Sequence, residues 1–135
     1  YSNAMVYYQK ALNAIQNTKK SKVVDPLITA ATINCIGVLY FHSPSKTDAD
    51  KALTYFIDAL GVQRFVLGTH HREVATTLNN IGRVYYFRGQ YESAIRLYLE
   101  ALRIRQLVLG CDHLDVAATV CNTGQTYHQL GMFQQ

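Results

Sequence analysis

Apolar residues in the middle of the chain recur with the spacing of a helix and not with the alternation of a strand. Leu78, Ile81 and Tyr85 stand at i, i+3 and i+7, which places them on one face of an α-helix. The next segment places a small residue, Ala94, and an aromatic residue, Tyr98, on one face in the same way. The pattern therefore predicts pairs of amphipathic helices.

Much of the pattern returns after 42 residues, whereas Ile36, Gly37 and Tyr40 precede Ile81, Gly82 and Tyr85 by 45 residues because the connection at residues 42–48 is longer. In the first helix of each pair, Val74, Asn80, Gly82, Tyr85 and Gly89 are followed by Val116, Asn122, Gly124, Tyr127 and Gly131. In the second helix, Ala52, Phe56 and Ala59 are followed by Ala94, Tyr98 and Ala101. Self-similarity at a fixed period indicates a repeat architecture, in which each unit packs on its neighbours.

The first residues of the chain match the second helix of a later repeat. Residues 1–12 align without a gap on residues 91–102, so that Ala4 and Tyr8 match Ala94 and Tyr98. The letters Ser2-Asn3-Ala4 before Met5 look like a cloning scar. Because Ala4 stands at a repeat position, we interpret the segment as part of the array.

The repeat register also predicts the organisation of the chain as one array of about six helices. We expect residues 1–24 to form the second helix of a first repeat, and residues 25–68 and 69–110 to form two complete repeats. Residues 111–135 then form the first helix of a fourth repeat. This organisation predicts a fragment of a longer array.

Glycines mark the predicted helix ends and one close contact. Gly68 and Gly110 suit the left-handed stop after a second helix, and Gly89 and Gly131 suit the turn inside a repeat. Gly82 falls within a helix, where glycine costs up to about 1 kcal/mol relative to alanine. Its recurrence predicts that another helix comes close at this point. At the helix starts, we predict an N-cap followed by proline at Asp25-Pro26, and an acidic capping box at Asp112 and Asp115.

These residues resemble the tetratricopeptide repeat. Its pattern of a large residue, Leu-Gly, Tyr, Ala and an aromatic stands here as Leu78, Ile81-Gly82, Tyr85, Ala94 and Tyr98. The 42-residue period resembles the long repeat of kinesin light chains, as do Val74-Ala75 with Asn79-Asn80, and Leu67-Gly68 and Leu109-Gly110 with His71 and His113. The resemblance implies an all-α, right-handed superhelical α-solenoid of antiparallel helix pairs. It also implies a non-catalytic module for protein–protein interaction.

Stacked repeats form a concave groove that is lined mostly by their first helices. The predicted groove residues are Asn34, Phe41 and His42 in one repeat, Thr76, Asn79, Asn80, Arg83, Tyr86 and Phe87 in the next, and Asn122, Gln125, His128 and Gln129 in the last. Amide side chains both donate and accept hydrogen bonds, so they can pair with an extended peptide backbone. Arg83 can hold a carboxylate through two hydrogen bonds. We therefore predict that a peptide or a partner segment binds in the groove.

Other interpretations of the same residues stay open. A helix asparagine can simply face water or bond to the nearby backbone, and aromatic residues at helical spacing are often core residues. The array as a whole can serve as a structural scaffold without a groove ligand. It can also self-associate through the exposed ends of the array. Arg96, Arg103 and Arg105 are predicted to form a solvated outer face.

Composition and charge narrow the class of protein further. The 135 residues suffice for one ordinary domain, and no apolar run reaches the roughly 18 residues of a membrane helix. The formal net charge of +4 is a mild bias that does not require nucleic acid. Three cysteines without a CxxC motif favour a reducing compartment inside the cell, with the cytoplasm as the first expectation.

Chemical functions find little support in the sequence. There is no phosphate-binding loop, nucleophile elbow or carboxylate pair on a common helix face, so we predict no enzyme and no cofactor. Zinc ligands must lie about 2.0–2.3 Å from the ion, whereas His71 and His113 are one repeat apart. We therefore predict no metal site and a packing or capping role for both histidines. Helical repeats that read RNA are shorter than 42 residues, and the groove carries a single arginine, so RNA binding is disfavoured.

Overall fold

The computed structural model describes residues 6, 9–10, 13, 26–43 and 46–134. Across these residues the regular structure is helical, without a strand. The helices that follow residue 25 are α1 (Pro26–Phe41), α2 (Lys46–Leu67), α3 (Arg72–Phe87), α4 (Tyr91–Leu109) and α5 (Leu114–Gln134). The predicted all-α fold class is confirmed. Most of the predicted helix at 1–24, and Asp25 of the predicted N-cap, lie outside the described residues.

The chain divides into two compact units, Tyr1–Val66 and Leu67–Gln135. In the first unit, α1 starts at Pro26, as the sequence predicts for a proline in the first helical turn. Phe56 of α2 is 1% exposed and lies against Gly37 of α1, where a Cβ atom would be 2.7 Å from its ring. Tyr40 and Tyr55 stack with ring centroids 5.4 Å apart. These contacts pair early residues of α2 with late residues of α1, so the two helices run antiparallel.

In the second unit, α3 and α4 form a pair of the same kind. Leu78 and Ile81 of α3 are buried, and so is Tyr98 of α4. A Cβ atom on Gly82 would lie 2.7 Å from Cε1 of Tyr98. The predicted close approach at Gly82 is therefore confirmed, with the difference that an aromatic ring of the second helix, and not its backbone, occupies the space. The two helices can pack this closely only because Gly82 has no side chain.

Helix α5 packs against α4 through a face that is rich in threonine. Val116, Thr119, Thr123 and Thr126 are buried. Each of these threonines donates its hydroxyl to the carbonyl four residues earlier in the same helix, at 2.7–2.8 Å. The hydroxyl groups are thereby satisfied within the helix, which removes most of the cost of burying them.

The predicted helix stops are confirmed at three glycines and wrong at one. Gly68, Gly89 and Gly110 have φ angles of +85°, +78° and +85°, which L-residues with side chains rarely adopt. Gly131 instead lies inside α5, which continues to Gln134. In the described residues no helix folds back on α5 at this point, so intrahelical hydrogen bonds continue where Gly89 makes a turn.

Histidines cap the N-termini of α3 and α5, each the first helix of a repeat. The amide of Glu73 donates to Nδ1 of His71 at 3.1 Å, and the amide of Asp115 donates to Nδ1 of His113 at 3.0 Å. The predicted capping role of both histidines is confirmed. The acidic capping box at Asp112 is wrong, because α5 begins at Leu114 and His113 takes the N-cap position.

Candidate protein-interaction site

The groove residues predicted on α3 share one side of that helix. Thr76, Asn79, Asn80, Arg83 and Tyr86 are all half-buried, and Phe87 at the end of the helix is 71% exposed. The opposite side of α3 carries the buried residues of the core. The predicted groove side of α3 therefore carries polar groups that contact neighbouring residues and are still accessible to a ligand.

Amide side chains of two successive first helices meet directly. Nδ2 of Asn122 in α5 donates to Oδ1 of Asn79 in α3 at 3.2 Å. This contact joins residues 43 positions apart and places the predicted groove sides of α3 and α5 next to each other. Each amide group retains further hydrogen-bonding capacity, because a primary amide has two N–H donors and a carbonyl that accepts two bonds.

Arg83 and Tyr86 lie close to the buried ring of Tyr98. Burial raises the pKa of Tyr98 to about 12, while the positive charge of Arg83 lowers it and the Tyr86 hydroxyl raises it by smaller amounts. Both groove residues therefore interact electrostatically with the phenol of Tyr98. The Tyr98 ring itself packs against Gly82 on the buried side of α3.

An aromatic cluster stands at the turn between α3 and α4. The ring of Tyr86 contacts the rings of Phe87 and Tyr91 edge to face, with centroids 5.4 Å apart in both pairs. Tyr91 also lines a cavity of about 590 Å³ that is bounded by residues 89–93 and by Leu130 of α5. The sequence does not reveal this cavity, because it depends on the distance between the turn and α5.

The remaining predicted residues occupy two other places. On α5, Gln125 and His128 are exposed and Gln129 is half-buried. In the first unit, Asn34 and Phe41 of α1 are half-buried, and His42 follows the helix as an exposed residue. The rings of Phe41 and His42 meet edge to face at 5.5 Å.

Arg105 corrects the prediction of a solvated outer face. Arg96 and Arg103 are exposed as expected, but Arg105 of α4 is only 6% exposed. The sequence pattern fails here because the long side chain reaches oxygen acceptors on α3 and α5, which helical spacing on α4 alone does not show.

The Arg105 guanidinium connects three helices of the second unit. Nη1 donates to Oγ1 of Thr119 at 2.6 Å and to the carbonyl of Asp115 at 3.2 Å, both in α5. Nη2 donates to Oγ1 of Thr76 in α3 at 3.4 Å. Burial lowers the pKa of the guanidinium, and the charge of Asp115 opposes that effect. Arg105 of α4 therefore forms hydrogen bonds to both neighbouring helices, α3 and α5.

The part of the chain that the structure describes contains neither a candidate metal site nor a candidate membrane-spanning helix. No cluster of three or more His, Cys, Asp or Glu side chains there has the geometry of a metal site. None of the helices among those residues has the length and apolar character required to cross a membrane.

Comparisons with known proteins agree with this geometry. A model of the tetratricopeptide repeat matches residues 28–107 and 88–135. Among solved structures, 31 chains match. One is the crystal structure of BtubC (BKLC) from P. vanneervenii, with 25% sequence identity and a TM-score of 0.81. The match covers 94% of this chain and 48% of that chain, so this sequence spans about half the length of its structural relative. No curated protein matches.

Proposed function

Because the chain belongs to the tetratricopeptide-repeat family, whose repeats generally mediate protein–protein interactions, we propose that it binds a peptide or partner segment along the polar side of α3 and α5. The family is a non-catalytic scaffold, and we propose no enzymatic activity for this member. We also propose a reducing compartment such as the cytoplasm, which the odd number of cysteines without a CxxC motif favours.

One observation carries this proposal: the hydrogen bond between Asn122 and Asn79. It aligns amide groups of two successive helices and leaves donors and acceptors for an extended backbone. Packed helices lie about 8–10 Å apart and an extended chain rises about 3.3 Å per residue. Each repeat would therefore contact roughly three to six residues of the ligand.

Side-chain preference would come from two neighbouring features. Arg83 is the one side chain with a permanent positive charge among the predicted groove residues, and it suits an acidic group of the ligand. The exposed ring of Phe87 and the cavity beside Tyr91 suit an apolar side chain. We propose that the ligand carries both kinds of residue within a short segment.

A peptide array probed with the chain, followed by fluorescence anisotropy on the selected peptides, tests this function. Asn80→Ala combined with Arg83→Glu should weaken binding at least tenfold, while the helical circular dichroism signal and the Tm stay close to those of the parent chain. Arg103→Glu is the matched control, because it makes the same charge reversal at an exposed position of α4. If the Asn80→Ala, Arg83→Glu double variant bound the peptides as tightly as the parent chain, the proposed site would be rejected.

A further inference from the structure

A serine stands in the connection between α1 and α2, beside the start of α2. Oγ of Ser43 donates a hydrogen bond at 2.5 Å to Oδ2 of Asp48, which lies in the first turn of α2. The carboxylate of Asp48 also faces Nζ of Lys51 at 3.9 Å. The same Nζ lies 5.6 Å from the ring centroid of Tyr40 in α1. The Ser43 hydroxyl therefore belongs to a polar cluster that joins the end of α1 to the start of α2.

The sequence around this serine has the pattern of a protein-kinase substrate. Pro44 follows Ser43 directly, and Lys46 stands three positions after the serine. The sequence has two prolines, and the other, Pro26, follows Asp25, so a hydroxyl residue precedes proline at Ser43 alone. Proline has no N–H, so a kinase subsite that offers no acceptor at this position selects proline over other residues. The lysine suits an acidic subsite of the same kinase.

The backbone at Ser43 lies between the two helices and is held by the end of α1. The side chain of Ser43 is half-buried, and that of His42 before it is exposed. The amide of His42 donates to the carbonyl of Val38, and the amide of Ser43 donates to the carbonyl of Tyr40, both at 3.1 Å. Hydrogen bonds at helix ends are among the first to open in a folded protein. A kinase can therefore reach the serine without unfolding either helix.

We propose that Ser43 is a phosphorylation site for a proline-directed protein kinase that uses ATP. The Ser43 oxygen bonds to the γ-phosphorus of ATP as the bond from that phosphorus to ADP breaks, and the hydroxyl proton passes to the catalytic aspartate of the kinase. The ester oxygen can no longer donate to Asp48, and a phosphate with a charge of about −1.5 to −2 stands beside that carboxylate. Phosphorylation therefore replaces an attraction between the connection and α2 by a repulsion, which the single charge of Lys51 offsets in part. None of these three residues belongs to the predicted groove, so the proposal is independent of ligand binding there.

Mass spectrometry of the full chain after incubation with Mg²⁺-ATP and a purified cyclin-dependent kinase tests the site. We expect one phosphate per chain, which peptide mapping of the parent chain assigns to Ser43. Ser43→Ala should remove this phosphate, and Pro44→Ala should lower the initial rate at least tenfold. Ser93→Ala is the matched control, because it removes a hydroxyl in the first turn of α4, where no proline follows. It should accept phosphate at the rate of the parent chain.

Phosphorus NMR of the phosphorylated chain tests whether the phosphate faces Asp48. A neighbouring carboxylate disfavours the dianion and so raises the second pKa of the phosphate. Asp48→Asn should therefore lower the pKa of phosphorylated Ser43 by about 0.5. Asp50→Asn is the matched control, because Asp50 is exposed and lies two residues further along α2, on another side of the helix. It should change this pKa much less.

Three results would overturn the proposal. The first is a parent chain that accepts no phosphate; a synthetic peptide of residues 38–50, tested beside it, shows whether the fold or the sequence excludes the kinase. The second is a phosphate that maps to another residue, or that Ser43→Ala accepts as fast as the parent chain. The third is an equal phosphate pKa in Asp48→Asn and the parent chain, which would show that the modified side chain has no contact with α2.

Discussion

At the scale of single residues, glycines at equivalent repeat positions have opposite energetic roles. A Cβ atom at Gly82 would overlap the ring of the buried Tyr98, whereas one at Gly124 meets no described atom within 4 Å. Gly82→Ala should therefore lower the free energy of unfolding by about 1–3 kcal/mol through overpacking. Gly124→Ala should raise it by about 0.5–1 kcal/mol, since alanine has the higher helix propensity. Urea denaturation of both variants provides the comparison, and a shift of the same sign in both would contradict this account.

The buried phenol of Tyr98 links stability to alkaline pH. Burial raises its pKa from 10.0 to about 12, so the folded state keeps the proton over a range in which the unfolded state loses it. The stabilisation is complete below pH 10 and is lost as pH rises from 10 through 12. The parent chain should thus lose on the order of 2 kcal/mol over this range relative to Tyr98→Phe, whose ring has no proton to lose. If the unfolding free energies of the two proteins fell in parallel as the pH rose, Tyr98 would be excluded as the cause of the alkaline loss of stability.

At the scale of helices, Arg105 is a buried cation whose partners do not depend on it. Thr119 also donates to the Asp115 carbonyl, and Thr76 also donates to the Arg72 carbonyl. Removal of the guanidinium with Arg105→Met therefore leaves these hydroxyls bonded and removes the cost of burying a charge. We expect Arg105→Met to change the unfolding free energy by less than about 1 kcal/mol.

Removal of the acceptor has the opposite consequence. Thr119→Val takes away the shortest hydrogen bond of the buried guanidinium and should cost about 1–3 kcal/mol. Most of that loss should disappear when Arg105→Met is added, because no buried charge is then left without its acceptor. A double-mutant cycle by chemical denaturation measures this coupling, and additive effects of the two substitutions would contradict it.

The helix ends show which local signals the sequence carries reliably. Gly68, Gly89 and Gly110 adopt the backbone that their positions predict, because a left-handed residue is a local requirement. Gly131 has the same repeat position as Gly89 and remains helical. The turn at Gly89 is accompanied by packing of α4 on α3, which is tertiary information that a single glycine does not contain.

At the scale of the molecule, periodicity predicts the fold class and the family, and both are confirmed. The side of α3 that carries Asn79 and Arg83 also follows from helical spacing, although ligand binding there stays a prediction. Two features of the site could not be predicted. The cavity beside Tyr91 depends on the distance between a turn and α5, and the burial of Arg105 depends on acceptors supplied by other helices. Both arise from packing between elements, which the repeat period does not encode.

The packing also predicts how stability is distributed over the second unit. Helix α4 packs against both α3 and α5, whereas Val120 and Tyr127 of α5 are half exposed. Since repeat units gain stability from their neighbours, the amides of α4 should exchange with deuterium more slowly than those of α5 in dilute solution. Equal protection of the two helices in the dilute parent chain would show that the second unit opens as one cooperative block.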